Sequence, residues 1–101
     1  MLPRSRYKIK TKVWIWPGMA AWHMVTLPRK QSDKIKELFS DMHRGWSSLP
    51  VIVRLGRTSW KTSIFYDKKS AAYVLPLKAE VRKKEKVTGG QTISLVLEIK
   101  P

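Results

Sequence analysis

Lys8, Lys10 and Lys12, followed at the same two-residue step by Trp14 and Trp16, are the residues best placed to do chemistry, and that chemistry is binding. Successive side chains of a β-strand point to opposite faces, so these five share one face, while Tyr7, Ile9, Thr11 and Val13 share the other. A row of ammonium groups ending in indoles suits a single-stranded nucleic acid, with lysines on phosphates and rings on bases. Large aromatics near strand ends more commonly fill cores, so Trp14 and Trp16 are expected to pack beneath a helix, and the lysines alone would make a solvated face. A second basic group, Lys78, Arg82, Lys83, Lys84 and Lys86, has the spacing of one helix face and could straddle duplex phosphates. Its plain reading is an exposed helix with an i,i+4 pair between Glu80 and Lys84, contributing a few tenths of a kcal/mol. The rival to a polyanion partner is a small molecule or a protein held in a cleft lined by Trp14, Trp16 or Trp22.

Nothing comparable supports a reaction. His23 and His43 are the only histidines, and neither stands in a metal-ligand spacing such as HxxxH or HxH. His43 is expected at a helix C-terminus, where a cation is favourable, and His23 on a strand. The acids Asp33, Glu37, Asp41, Asp67, Glu80, Glu85 and Glu98 are scattered, with no pair spaced to share a proton or hold a divalent cation. Ser47, Ser48 and Ser59 lack a nucleophile-elbow motif, and no phosphate-binding glycine loop occurs. The absence of cysteine removes thiolate nucleophiles, disulfides and Cys-based zinc sites. The expectation is a non-enzymatic protein with no catalytic residues, metal or cofactor.

The charge balance leans the same way as the lysine row. Lys and Arg number 21 against 7 Asp and Glu in 101 residues, a formal charge of +14. A field of that sign attracts phosphates and costs the compact state some self-repulsion. With 43% apolar and 28% charged residues the composition is that of a globular protein. No apolar run approaches the roughly 18 residues of a membrane span, and the N-terminus lacks a signal-peptide core, so a cytoplasmic location away from membranes is expected. The length predicts one domain over residues 1–101, with residues 1–6 a flexible basic N-terminus.

The elements that must position these residues are mainly strands. Period-2 patterns cover Tyr7–Trp16, Val51–Leu55, Trp60–Phe65 and Ile93–Ile99, and shorter strands over Trp22–Leu27 and Tyr73–Leu75 are each stopped by a proline. Pro17-Gly18 and Gly56-Arg57 mark hairpins. Between Pro28 and Gly45 the period changes: Ile35, Leu38, Phe39 and Met42 form one helical stripe, with Ser32 as N-cap and Asp33 in the first turn. A shorter helix follows Pro76, with Leu77 and Val81 inward and Gly89-Gly90 closing the turn. The fold class is therefore mainly β with two short helices. Each half reads β-β-α-β, with Leu27-Pro28 and Leu75-Pro76 in matching places, which predicts two halves closing about a pseudo-twofold into a small barrel. Its core is expected to hold Ile9, Val13, Ile15, Val25, Ile35, Leu38, Phe39, Val51, Val53, Trp60, Ile64, Val81, Ile93, Leu95 and Leu97.

Trp22-His-Met-Val-Thr-Leu-Pro28, Leu49-Pro-Val-Ile-Val53, Gly56-Arg-Thr-Ser-Trp-Lys-Thr-Ser-Ile-Phe65, Tyr73-Val-Leu-Pro76, and Val81-Arg82 ahead of Gly89-Gly90-Gln-Thr-Ile93 carry a family likeness. Together they resemble a small prokaryotic domain family of unknown function, also found joined to bacteriocin-protection (YdeI/OmpD-associated) segments. The resemblance spans Tyr7 to Glu98 and rests on the order of the motifs. It implies a double-split β-barrel, the fold of the AbrB/MazE/MraZ group of DNA-binding and antitoxin proteins, and no settled activity. In AbrB-like proteins an arginine typically stands four residues after the proline. Glu80 takes that place here and the arginine is Arg82, so the DNA-contacting role is not carried over. Two halves in one chain would supply the twofold that AbrB-like proteins obtain by dimerising, so a monomer is expected.

Overall fold

The computed structural model describes residues 6–17, 22–39 and 48–100. The elements run β1 (Arg6–Ile15), β2 (His23–Thr26), α1 (Arg29–Phe39), β3 (Ser48–Leu55), β4 (Thr58–Asp67), β5 (Ala72–Leu77), α2 (Ala79–Glu85) and β6 (Thr92–Ile99). The strands close into a barrel in the order β1-β2-β5-β4-β3-β6, every neighbouring pair antiparallel. Closure leaves no exposed strand edge along these ladders. Arg6, expected in a flexible basic N-terminus over residues 1–6, belongs to β1; residues 1–5 lie outside the described residues. Among the described residues no helix is long and apolar enough to cross a membrane.

The interior follows the period-2 rows. Ile9 and Val13 of β1, Val25 of β2, Val51 and Val53 of β3, Ile64 of β4, Leu75 of β5 and Leu95 and Leu97 of β6 are all buried. Three expected core residues are not. Ile15 is 49% exposed because β1 overruns β6: their ladder ends at Lys12–Thr92, the Gly90 N–H and Gln91 carbonyl bond to Val13, and Ile15 lies beyond that layer, paired with His23 alone and beside Gly89. Trp60 packs on the core from a half-buried position at its rim.

Leu38 is 40% exposed because α1 is rotated from the predicted stripe. The buried row is Ser32, Ile35 and Phe39, and Leu38 falls about 90° from its centre at 100° per residue. Ser32 sets that rotation. It is a fully buried interior residue of the helix, not its N-cap: its hydroxyl accepts from the Tyr73 N–H at 3.0 Å and donates to the Leu27 carbonyl at 3.4 Å. The helix instead begins directly after Pro28, whose carbonyl receives the Ser32 N–H. Met42 and Gly45, the predicted end of the stripe, lie outside the described residues.

Pro76, read as a strand end, is a strand member, and Pro50, just ahead of the predicted Val51–Leu55 strand, belongs to that strand as well. Pro50 pairs with Ser63 inside β3, and Pro76 pairs with Met24 inside β5. Pro76 is tolerated because the β4–β5 ladder has already ended at Phe65–Val74, so no donor is needed on that side. Leu77 is consequently a buried strand residue, and α2 starts two residues later with Val81 as its buried anchor. Lys86 closes α2 in the left-handed conformation at φ 53°, its N–H on the Arg82 carbonyl.

Candidate nucleic-acid interface

The outward row of β1 is as its spacing demands. Lys8, Lys10 and Lys12 are exposed, and Ile9 and Val13 behind them are buried. Strand pairing brings further cations beside them. Lys8 lies next to Val96, Val96 next to Arg54, and Arg54 next to Ser59, across four strands. One step along, Arg6, Glu98, Ile52 and Lys61 form the parallel row. Lys8 and Lys10 face Arg54 across a shallow hollow of about 410 Å³ floored by Ser94 and Val96. With strands about 4.8 Å apart, the wall from Arg6 to Lys61 is roughly 14 Å wide.

Arg6, Arg54, Lys61 and Lys100 are the members of this wall that sequence reasoning did not name. The alternation of β3 would have turned Arg54 outward. That β3 and β4 lie on the β1 side of the barrel, reached through β6, is a tertiary fact with no local signal. Glu98 is the acid on this wall, and it is occupied: Lys100 Nζ stands 3.0 Å and Arg6 3.4 Å from its carboxylate. The hydrogen bond and charge of Lys100, then those of Arg6, hold the Glu98 carboxyl below its ordinary range. Among the described residues, Lys8, Lys10, Lys12, Arg54 and Lys61 have no ion-pair partner.

The α2 group does not simply extend this wall. Lys84 pairs with Glu80 at 3.5 Å, the i,i+4 contact expected from spacing, and Arg82 is half-buried with its Nε donating to the Leu77 carbonyl at 3.3 Å. Lys78, Lys83 and Lys86 are exposed. Between the helix and the hollow sits Glu85, which accepts from the Thr58 hydroxyl at 2.6 Å and lies against Gly56 on the hollow's rim. Lys78 faces another way, into an open groove it shares with Lys61, Trp22 and Phe65.

The tryptophans correct the expectation that they pack beneath a helix. Trp14 and Trp16 continue the outward row of β1 and stack on each other, centroids 5.6 Å apart and planes 27° from parallel. Trp14 is half-buried, and its Nε1 donates to the Thr26 hydroxyl at 2.9 Å; Trp16 is 40% and Trp22 52% exposed. Trp16, Trp22 and Phe65 rim a groove of about 430 Å³ floored by Met24 and Val74, with Tyr66 and the acid Asp67 also on its lining. Those two point out of the barrel yet are buried beneath the aromatic wall, and Trp14 is its clamped backing.

His23 is half-buried in β2, paired with Ile15 and Leu77, and His43 lies outside the described residues. Among the described residues no three potential metal ligands converge. No curated protein matches the chain. A family model described as a domain of unknown function (DUF1905) matches residues 10–97, which take in the lysine row from Lys10, both helices and nearly all of the barrel. The chain belongs to that family of small domains of unknown function.

Proposed function

We propose that this chain is a non-enzymatic module that binds nucleic acid or another polyanion on the outer wall of β1, β6, β3 and β4. One observation carries the reading: Lys8, Lys10, Lys12, Arg54 and Lys61 share that wall unpaired, while its acid, Glu98, is already neutralised by Lys100 and Arg6. Such a wall meets phosphates without reading bases, giving affinity that is largely independent of sequence. Of the α2 group, Lys78, Lys83 and Lys86 are free to add to the field, whereas Arg82 and Lys84 are engaged locally. The rival reading, a small molecule or a protein held in a cleft lined by Trp14, Trp16 or Trp22, is favoured only by the exposure of Trp16 and Trp22.

The finer architecture belongs to the same proposal. Exchanging β1, β2 and β3 for β4, β5 and β6 leaves the set of strand pairings unchanged, with β2–β5 and β3–β6 mapped onto themselves and the other four exchanged, which supports a double-split barrel with a pseudo-twofold axis. Closure within one chain supports a monomer in a single domain, and the proposal places it in the cytoplasm.

The test is a salt titration of labelled duplex and single-stranded oligonucleotides by fluorescence anisotropy. Five contacted phosphates correspond to log-log slopes of about −4.5 on duplex and −3.5 on single strands, a loss of roughly 100- to 500-fold between 50 and 200 mM salt. The Lys8/Lys10/Lys12→Glu variant, and separately Arg54/Lys61→Glu, should abolish binding at 200 mM. Binding unchanged in both variants would sink the proposal, and salt-insensitive binding would move the site to the tryptophan cleft.

A further inference from the structure

We infer that the ligand of this wall is a single-stranded nucleic acid, whose backbone follows the β1 lysines and whose unpaired bases enter the groove rimmed by Trp16, Trp22 and Phe65. The inference rests on the polyanion reading and adds the substrate class. Its basis is that cations and rings occupy one continuous track. Lys8, Lys10, Lys12, Trp14 and Trp16 follow at two-residue steps of roughly 6.7 Å along one strand face. A chain of phosphates laid on the lysines arrives at the indoles without changing direction.

The rings are built to be met. Trp14 is held by the Thr26 hydroxyl and backs Trp16 in a stack, so Trp16 presents a face whose other side is already supported. The Thr26 carbonyl is in turn held by the Thr11 hydroxyl at 2.7 Å. Trp22 and Phe65, at 52% and 40% exposure, stand across the same groove. Three large aromatics left wet in one place mark a contact surface rather than scattered apolar exposure.

Charge selects the occupant. Trp22 and Phe65 also border the second groove, which carries Lys61 and Lys78, so cations stand beside the aromatic site; the one acid on its own lining, Asp67, is engaged by the Ser70 hydroxyl and the Lys69 N–H. A neutral apolar ligand would use the rings and none of that charge. A duplex would use the charge and none of the rings, because paired bases are stacked inside it and cannot reach a groove on a barrel wall. A strand with splayed bases uses both, and every base offers a face for stacking.

The decisive comparison uses the full chain and three probes of equal charge: an oligothymidylate, an abasic strand of the same length, and a duplex. Stacking of one base should make the oligothymidylate roughly 5- to 150-fold tighter than the abasic strand. The Trp16→Ala/Trp22→Ala variant replaces exposed rings, so its fold is preserved; it should bind both strands as weakly as wild type binds the abasic one. Equal affinity of wild type for the oligothymidylate and the abasic strand, with steep salt dependence, overturns this inference and leaves the polyanion reading intact. Preference for the duplex, or for poly-glutamate as a stand-in for an acidic protein, also overturns it. No binding of any probe at 50 mM salt overturns both.

Discussion

Ser32 offers the sharpest test of how α1 sits on the barrel. As an N-cap it would be interchangeable with Asp, and Gly in its place would cost only a few tenths of a kcal/mol. As a fully buried hydroxyl between the Tyr73 N–H and the Leu27 carbonyl, it tolerates neither. Ser32→Ala removes the acceptor of a buried backbone donor, a cost of about 1–3 kcal/mol. The Tyr73 bond, at 3.0 Å against 3.4 Å for Leu27, carries most of it. Ser32→Gly adds about 1 kcal/mol for glycine inside a helix. Ser32→Asp places a carboxylate in a site without solvent, an effective penalty of several kcal/mol against a total stability of about 5–15 kcal/mol. Urea denaturation reads these directly: with a slope of about 1–3 kcal/mol per molar, Ser32→Ala should lower the midpoint by roughly 1 M at unchanged slope. A Ser32→Asp variant within about 0.5 kcal/mol of wild type would refute the buried placement and restore the N-cap.

Two further outcomes follow from particular contacts. Gly56 turns β3 into β4 at φ +60°, and a Cβ there would run into the Glu85 carboxylate, so Gly56→Ala should cost about 1–2 kcal/mol for the left-handed backbone alone. Adding Glu85→Ala should relieve the clash and not the backbone cost, which a double-mutant cycle in urea would show as coupling between the two sites. Burial, and secondarily the charge of Tyr66, pushes the Tyr73 hydroxyl up to about 12, against an ordinary value near 10. A raised folded-state value means stability that is complete below pH 10 and lost as pH rises toward 12, so the urea midpoint should fall across that window and the Tyr73→Phe variant should lack that component.

Much of the barrel was legible because its strands are two-faced. The rows Lys8–Lys12 over Ile9–Val13, and Ile93 through Ile99, state both the strand and its orientation. What could not be read was neighbourhood. Arg54 and Lys61 join the lysine row only because β6 pairs with β1 on one side and β3 on the other, an outcome of closure rather than of any local pattern. Pro76 misled for a related reason: it looks like a stop in a linear reading, and only the layout of the ladders reveals where a missing donor does no harm. Ser32 was misread because serine ahead of an apolar stripe is a cap far more often than a buried strut, and the Tyr73 N–H that decides the matter is 41 residues away.

The wall of cations and the wall of aromatics are two sides of one closed surface, and that constrains how they can act. β1 crosses from one to the other along a single row, Lys12 to Trp14. β4 does the same on the far side, Lys61 to Phe65, with Ser63 between. The two walls therefore meet at both seams of the barrel, and each seam passes from charge to ring within a few residues. β1 and β4 run antiparallel, so charge gives way to ring in opposite directions along the barrel on the two seams. Trp16, just past the end of β1, meets Trp22, just ahead of β2, and the groove that holds Lys61 and Lys78 also takes in Trp22 and Phe65. The Trp16 N–H on the Trp22 carbonyl, at 2.8 Å, ties the two presented indoles to one backbone. On the proposed reading, a ligand that uses both walls carries anions and planar rings along one chain.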